Sequence, residues 1–352
     1  MSRRAVAGLL ALGLIAVGAF LGLREPSPFV RFSPGPTVNV LGQNGDKKII
    51  TVTGRKTYED DGALRLVTVY VTGPKDEQSL AETLVAWADP DVAVLPHDSV
   101  YRANETNKSS RQESAAEMTS SQDSATAAAL GALGIKYRSD LAVALVDKKG
   151  ASAGLLKPGD LLRSVDGKAA ADDAAFIAAI KPLAPGTKVR IGINRGGEDR
   201  EVTITTRPAP DDKTKSRINI SITKKLTFPF KVDINLDDNI GGPSAGMMFA
   251  LSIYDLLTPG SLTGGKVIAG SGEISPDGVV GPIGGIGQKI VAAQRDGAEL
   301  FLVAQENCAE AAEAHYDKDK IRLVKVHKLK DAIDDLEAWR ANPKAELPGC
   351  GR

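Results

Sequence analysis

The sequence predicts a multidomain protein of mixed α+β and α/β class. Its 352 residues exceed the size of one typical domain, so two or three domains are expected. In the first half of the chain, short alternating apolar runs that predict strands are separated by glycine- and aspartate-bearing turns. In the last third, strand-like runs alternate with helical ones, a pattern typical of an α/β domain.

Charge and composition exclude several classes of function. The chain has 44 basic and 44 acidic residues, a formal net charge of zero, and only 5% aromatic residues. A nucleic-acid partner is not expected, because it requires a basic surface and aromatic side chains on which bases stack. The two cysteines, Cys308 and Cys350, form no metal-ligand motif with each other or with a histidine, so no metal site and no cofactor are predicted. Their pairing is possible, but unpaired cysteines are favoured, because nothing in the sequence brings them within bonding reach.

The first 25 residues are interpreted as a short cytoplasmic tip followed by a transmembrane anchor. Residues 5–23 are uncharged and almost wholly apolar. As a helix, this segment is just long enough to span the hydrocarbon core of a lipid bilayer, which is its predicted partner. Because Arg3 and Arg4 precede this run, the amino terminus is expected in the cytoplasm and the bulk of the chain outside it. A cleaved signal peptide is the alternative, but its weak cleavage motif at 16–18 lies inside the apolar run.

Residues 26–128 are predicted to form a β-rich N-terminal region with a connecting helix. The proline-rich residues 26–36 indicate a linker, and the polar, alanine-rich stretch 104–129 favours a solvated helix over a flexible connector. We identify no candidate chemistry in this region. The strand-like runs are 37–41, 49–52 and 64–71, and a short helix is predicted at 78–88.

A glycine-rich segment around Ser244 is the first candidate for chemistry. The alternating run 230–236 predicts a strand, and the apolar run 247–254 predicts a buried helix. Ser244 therefore lies where a strand turns into a helix, flanked by Gly242, Pro243 and Ala245. Free N–H groups at a helix start can stabilise a developing oxyanion, which makes this a favourable position for a nucleophilic serine.

A serine nucleophile needs a base, and lysine is the best candidate in this chain. The three histidines, His97, His315 and His327, lie in no motif-like setting. Lys289 follows a glycine turn and begins a largely apolar helical run, where burial would lower its pKa. Lys266 is a rival, but its glycine neighbours indicate a solvated turn.

Two motifs together resemble those of the Lon-type proteolytic domain. One is Gly-Pro-Ser-Ala-Gly around Ser244; the other begins Ser-Gly-Glu-Ile at Ser271 and continues to Gly-Pro-Ile-Gly-Gly-Ile-Gly-Gln-Lys, ending at Lys289. The resemblance implies a Lon-type proteolytic domain at 217–341. It also implies that Ser244 is the nucleophile, Lys289 the general base and Ser271 the hydrogen-bond partner of the lysine, with Gly242, Pro243 and Ala245 in supporting positions.

The sequence departs from that family in two ways near the serine, one of which is a shorter loop between the strand and Ser244. Gly241 stands where the family commonly has an aspartate two residues before the Pro-Ser pair, which leaves open what else orients the two catalytic residues. The departure also leaves open an alternative function, that of a catalytically inactive, peptide-binding membrane scaffold.

A nucleotide site is considered and rejected. Residues 260–267 nearly match a phosphate-binding loop, but Val267 replaces the metal-binding Ser/Thr and the segment leads into a strand rather than a helix. The ATPase motor of Lon proteins has no counterpart in this sequence. Any protease activity is therefore expected to be independent of ATP.

The segment 129–208 resembles a bacterial PDZ domain, because it combines Lys-Pro-Gly-Asp-Leu-Leu at 157–162 with a hairpin turn at 165–168. Such domains add a peptide as a strand to a sheet edge and hold its carboxylate in a nest of N–H groups. The resemblance implies a carboxylate loop at Leu133, Gly134 and Ile135 and a pocket lined by Phe176. Residues 207–216 are predicted to be a linker.

The order of these parts resembles the membrane-anchored, PDZ domain-containing Lon-like serine proteases of Gram-positive bacteria. The resemblance implies an ATP-independent endopeptidase with a Ser-Lys dyad, held at the membrane through residues 5–23, that cleaves extracytoplasmic or membrane-proximal proteins. A bound C-terminal peptide and a homo-oligomer are further expectations. Whether the PDZ domain recruits substrates or gates the site stays open.

Overall fold

A computed structural model describes the backbone of residues 3–351, and their side chains except those of residues 3–9, 11 and 21. The chain divides into two compact units. Unit 1 contains residues up to 135 and from 230 onward, and unit 2 contains 136–229. The N-terminal region and the Lon-type region thus form one unit, and the PDZ-like segment is inserted between them in the sequence.

The predicted transmembrane anchor is wrong. The first helix, α1, spans Arg3–Gly22, yet no helix among residues 3–351 combines the length and the apolar content that a bilayer crossing needs. The single-pass topology and the extracytoplasmic location were predicted from this anchor, so they are not supported either. Residues 1 and 2 of the predicted cytoplasmic tip lie outside the described residues.

The N-terminal region ends in a long helix, as predicted. A capping box of Thr106 and Ser109 begins that helix by satisfying its first free N–H groups. In this region the strands are β1 (Phe29–Asn39), β2 (Gln43–Asn44), β3 (Lys47–Lys48), β4 (Ile50–Thr53), β5 (Ala63–Val71) and β6 (Ala93–Pro96), and the helices are α2 (Leu80–Trp87), α3 (His97–Val100) and α4 (Asn107–Ala132).

Unit 2 is a small sheet with one helix. Its apolar core includes Phe176, Ile191 and Ile204, all nearly inaccessible to solvent. The predicted hairpin turn forms at Asp166 and Gly167, both with positive φ angles. The elements are β7 (Arg138–Val146), β8 (Leu161–Val165), β9 (Lys168–Ala169), α5 (Asp173–Ile180), β10 (Lys188–Arg195), β11 (Glu198–Thr205), β12 (Arg207–Pro208), β13 (Ser216–Arg217) and β14 (Ile220–Thr227).

Two features of unit 2 go beyond the sequence prediction. The sheet runs in the order β11-β10-β8-β7-β14, so its last strand lies outside the predicted PDZ boundaries. The predicted linker 207–216 is wrong, because β12 and β13 pair as an antiparallel hairpin.

The C-terminal part of unit 1 alternates strands and helices, as predicted. Its elements are β15 (Lys231–Ile234), α6 (Gly246–Leu257), β16 (Val267–Ser271), β17 (Glu273–Ile274), β18 (Val280–Gly281), α7 (Ile286–Arg295), β19 (Leu300–Ala304), a 3-10 turn (Gln305–Asn307), α8 (Cys308–Glu313), β20 (Arg322–Val326) and α9 (Leu329–Ala341).

The main sheet of unit 1 joins both ends of the chain. Its order is β20-β19-β16-β5-β1-β6. Parallel pairing links β20, β19, β16 and β5, and antiparallel pairing adds β1 and β6. Strands from the N-terminal region therefore complete a sheet that the C-terminal region begins.

Helices α6 and α7 cover opposite faces of this sheet. Ala269 of β16 packs in the cluster that contains Ile286 and Ile290 of α7. The next residue, Gly270, faces Met248 of α6, whose sulfur would lie 2.8 Å from a Cβ at that position. Because successive residues of a strand point to opposite faces, the two helices lie on either side of β16.

The two cysteines form a disulfide, contrary to the expectation of unpaired cysteines. The Cα atoms of Cys308 and Cys350 are 4.9 Å apart. The C-terminal segment returns along the edge strand β20, where Lys325 N donates to Pro348 O over 2.7 Å. This return brings Cys350 beside the start of α8, a proximity that the sequence separation of 42 residues did not reveal.

Candidate active site

Ser244 lies between strand β15 and helix α6, as the sequence predicted. Its side chain is half-buried. Gly242 adopts a left-handed backbone with φ of +84°, which allows the loop to turn sharply just before the serine. The main-chain N–H groups of Ser244 and Ala245 have no hydrogen-bond partner among residues 3–351. They are therefore available to a ligand at the start of α6.

Lys289 lies on the buried face of helix α7 and is only 2% exposed. Gly285, in a left-handed conformation, precedes the helix, and Lys289 N donates to its carbonyl over 3.1 Å. Burial lowers the pKa of the Lys289 ammonium to about 7, against an opposing electrostatic effect of Glu273 that raises it. The lysine can therefore exist as a neutral amine near neutral pH.

Ser271 connects these two residues. Lys289 Nζ donates to Ser271 Oγ over 2.9 Å, and Ser271 Oγ donates to the main-chain oxygen of Ser244 over 3.0 Å. Gly272 N donates to the same oxygen over 3.0 Å. Ser271 is 1% exposed, so the lysine nitrogen is held by a buried hydroxyl next to the serine loop.

The rival lysine, Lys266, lies in a different environment. Its ammonium forms an ion pair with Glu299 over 2.5 Å and lies 5.0 Å from the ring centre of Trp339. A third of its side chain is exposed. It is a partly exposed lysine paired with a carboxylate.

Helix α4 contributes to the serine loop, which the sequence analysis did not anticipate. Gly242 N donates to the carbonyl of Ser114 over 2.9 Å, and Ser121 Oγ donates to the carbonyl of Pro243 over 2.9 Å. The two serines are seven residues apart and therefore lie on one face of α4. The seven-residue spacing is visible in the sequence, but no nearby motif indicates that these serines contact a loop more than 100 residues away.

The same helix explains the glycine at position 241. A Cβ atom on Gly241 would lie 2.9 Å from Ser114 Cβ, closer than such atoms approach in proteins. An aspartate at this position would therefore collide with α4. The hydrogen bonds from α4 to the loop hold it in place instead.

The residues predicted to bind a peptide carboxylate lie in unit 1 at the end of α4. Leu133 caps the helix, and Gly134 follows with φ of +67°. The N–H groups of Leu133, Gly134 and Ile135 donate to the carbonyls of Ala129, Gly131 and Leu130, respectively. Phe176 lies in unit 2, where it is 1% exposed within the core.

Comparison with protein families identifies two of the segments. Residues 238–337 match the model of the Lon protease (S16) C-terminal proteolytic domain, and residues 128–206 match that of the PDZ domain. The chain therefore contains a Lon-type protease domain and a PDZ domain. The first supports a serine-type peptidase and the second suggests peptide binding.

Individual relatives match over limited segments. A Lon protease of Syntrophomonas wolfei is 33% identical over 136 residues, which are 37% of this chain and 16% of that protein. A Lon protease of Rhizobium meliloti is 33% identical over 93 residues, 26% of this chain and 11% of that protein. The chain thus spans less than a fifth of the length of these relatives. Among solved structures, the PDZ domain of an SdrC-like protein from Listeria innocua is 29% identical, with a TM-score of 0.22, over 24% of this chain and 92% of that one.

Proposed function

We propose that this chain is an ATP-independent serine endopeptidase in which Ser244 is the nucleophile and Lys289 the general base. The observation that supports this most is the environment of Lys289. Its ammonium is buried, donates to a hydroxyl, and forms no ion pair with a carboxylate among residues 3–351. An uncompensated buried ammonium is costly, so a lysine held this way favours the neutral, basic form.

The proposed reaction has two stages. Neutral Lys289 accepts the Ser244 hydroxyl proton as Oγ attacks the scissile carbonyl, and the resulting ammonium then gives a proton to the leaving amine. Water then attacks the ester on Ser244 as Lys289 accepts a proton from it, and Lys289 returns that proton to Ser244 Oγ as the acyl group leaves, which regenerates the serine hydroxyl and the neutral amine. The N–H groups of Ser244 and Ala245 are the proposed donors to the oxyanion in both stages.

Independence from ATP is part of the proposal. The glycine-rich segment 260–267 leads into strand β16 and not into a helix, so it lacks the strand-to-helix geometry of a phosphate-binding loop. The PDZ domain is proposed to engage protein segments. The homo-oligomer implied by the family resemblance stays a prediction, which sedimentation velocity would check.

The test is peptide release from reduced, carboxymethylated lactalbumin by the full chain without ATP. We expect the parent and Lys266→Ala to cut, because Lys266 is a surface lysine paired with Glu299. Ser244→Ala and Lys289→Ala should be inactive while keeping the parent's circular dichroism. Cutting by Ser244→Ala would refute the assignment. If the parent protein releases no peptides, the alternative of a catalytically inactive, peptide-binding protein is favoured.

A further inference from the structure

We propose that β14 is a built-in ligand of the PDZ-like unit, occupying in cis the sheet edge at which an external segment would otherwise add. The edge is that of β7, the strand that follows the predicted carboxylate loop in sequence. The kind of partner this edge fits is an internal, extended segment with aliphatic residues two positions apart. This inference does not depend on the proposed peptidase activity.

The backbone pairing supports occupation of the edge. Strand β14 pairs antiparallel with β7 along all eight of its residues, from Ile220 opposite Val146 to Thr227 opposite Arg138. On its other side β7 pairs with β8. Because β14 pairs with β7 along its whole length, the N–H and C=O groups on this edge of β7 are not free to receive another strand.

The side chains of β14 also occupy the positions expected of a ligand. Strand addition places alternate side chains in pockets on one face of the sheet. Ile220 and Ile222 are two positions apart, and both pack against the cluster that contains Phe176 and Ile180 of α5. The alternate apolar side chains of β14 thus pack against the same core to which Phe176 belongs.

The carboxylate loop argues for an internal segment over a chain terminus. Each N–H group of Leu133, Gly134 and Ile135 already donates to a carbonyl of helix α4. These donors complete the helix end and are not available to a carboxylate. An occupant without a free carboxylate, such as β14, is the kind of segment that remains compatible.

The outer edge of β14 is protected against further pairing. The strand contains the exposed residues Lys224 and Lys225 next to its centre. Charged residues on an edge strand disfavour the addition of another strand, because pairing would bring their ammonium groups against a neighbour. An external segment must therefore displace β14 instead of adding beside it.

The test uses the full chain carrying Ser244→Ala, so that the probe is not consumed. The probe is a fluorescein-labelled, end-blocked synthetic peptide that copies residues 217–228. One variant, Ile220→Asp/Ile222→Asp, removes the two anchoring side chains from the core. The control, Ser221→Asp/Thr223→Asp, adds the same charge on the exposed positions of the same strand.

We expect the probe to bind the Ile220→Asp/Ile222→Asp protein about tenfold or more tightly than either the parent or the control, as read by fluorescence anisotropy. Equal binding to parent and variant would overturn the proposal, because the edge would then be open. Binding to none of the three would overturn it also, provided that circular dichroism shows a folded variant.

Hydrogen exchange on the unmodified chain gives a second test that needs no variant. Amides in 138–146 and 220–227 should be protected as strongly as those of the β10–β11 hairpin, because a stable internal ligand protects both partners. Exchange of 220–227 at the rate of an unstructured segment would refute the inference.

Discussion

The ammonium nitrogen of Lys289 lies 2.9 Å from the hydroxyl oxygen of Ser271, and no carboxylate forms an ion pair with it among residues 3–351. Ser271 in turn donates to the main-chain oxygen of Ser244. A single buried hydroxyl therefore fixes the lysine and the serine loop to each other.

Activity should rise with pH through the pKa of Lys289, about 7, because only the neutral amine accepts a proton. The Glu273 carboxylate raises this pKa, so Glu273→Gln should move the rising limb of kcat/KM to lower pH. Glu299→Gln, which removes the partner of Lys266, is the matched control and should not move it. A limb that stays in place in Glu273→Gln would contradict the assignment of the base.

The buried lysine should cost stability at neutral pH. Between pH 7 and the ordinary lysine pKa of ~10.4, the unfolded chain holds a proton that folded Lys289 has lost, so stability of the parent rises with pH in this window. At pH 7 the free energy of unfolding of Lys289→Met should therefore exceed that of the parent by on the order of a few kcal/mol. This difference should shrink towards pH 10. Urea unfolding at several pH values measures it. A pH-independent gap would indicate a packing effect alone.

Ser121 is predicted to act as a positioning residue for the serine loop. Ser121→Ala removes the hydrogen bond to the Pro243 carbonyl, worth about 1 kcal/mol, and should lower kcat roughly fivefold with little change in KM. Ser120→Ala, on the exposed side of the same helix, is the control. Steady-state kinetics on a fluorogenic peptide checks both. Equal rates for the two variants would leave α4 without a role in catalysis.

Gly241→Ala should impair the site through a steric conflict. Its new Cβ would meet Ser114 Cβ at 2.9 Å, and relief of such overpacking costs roughly 1–3 kcal/mol. We expect kcat to fall about tenfold, and Ser114→Gly in the same protein to recover part of the loss, because the pair is in contact. Failure of the second change to recover any activity would argue against the clash as the cause.

The disulfide should stabilise unit 1. The bond closes a loop with a sequence separation of 42 residues, for which chain-entropy arguments give about 3–4 kcal/mol. Cys308→Ser/Cys350→Ser should lower Tm, and a reducing agent should lower the parent's Tm to that of the variant. A Tm unaffected by reduction would show that the pairing does not contribute to stability.

The sequence by itself determined the features that depend on residues close together in the chain. Alternation and apolar runs indicated the strand, turn and helix that hold Ser244, and the apolar face that follows Lys289 indicated its burial, because these features depend on neighbours within a few turns. The helix favoured at 104–129 from its alanine-rich composition forms at Asn107–Ala132. The transmembrane anchor predicted at 5–23 was wrong.

Only the tertiary structure decided which distant segments meet. It brought Ser114 and Ser121 to a loop more than 100 residues away, added the N-terminal strands to the main sheet, and joined Cys308 to Cys350. It also paired β14 with β7 along the whole length of β14. Such pairings are chosen by the fit and burial of whole surfaces, which local periodicity does not encode.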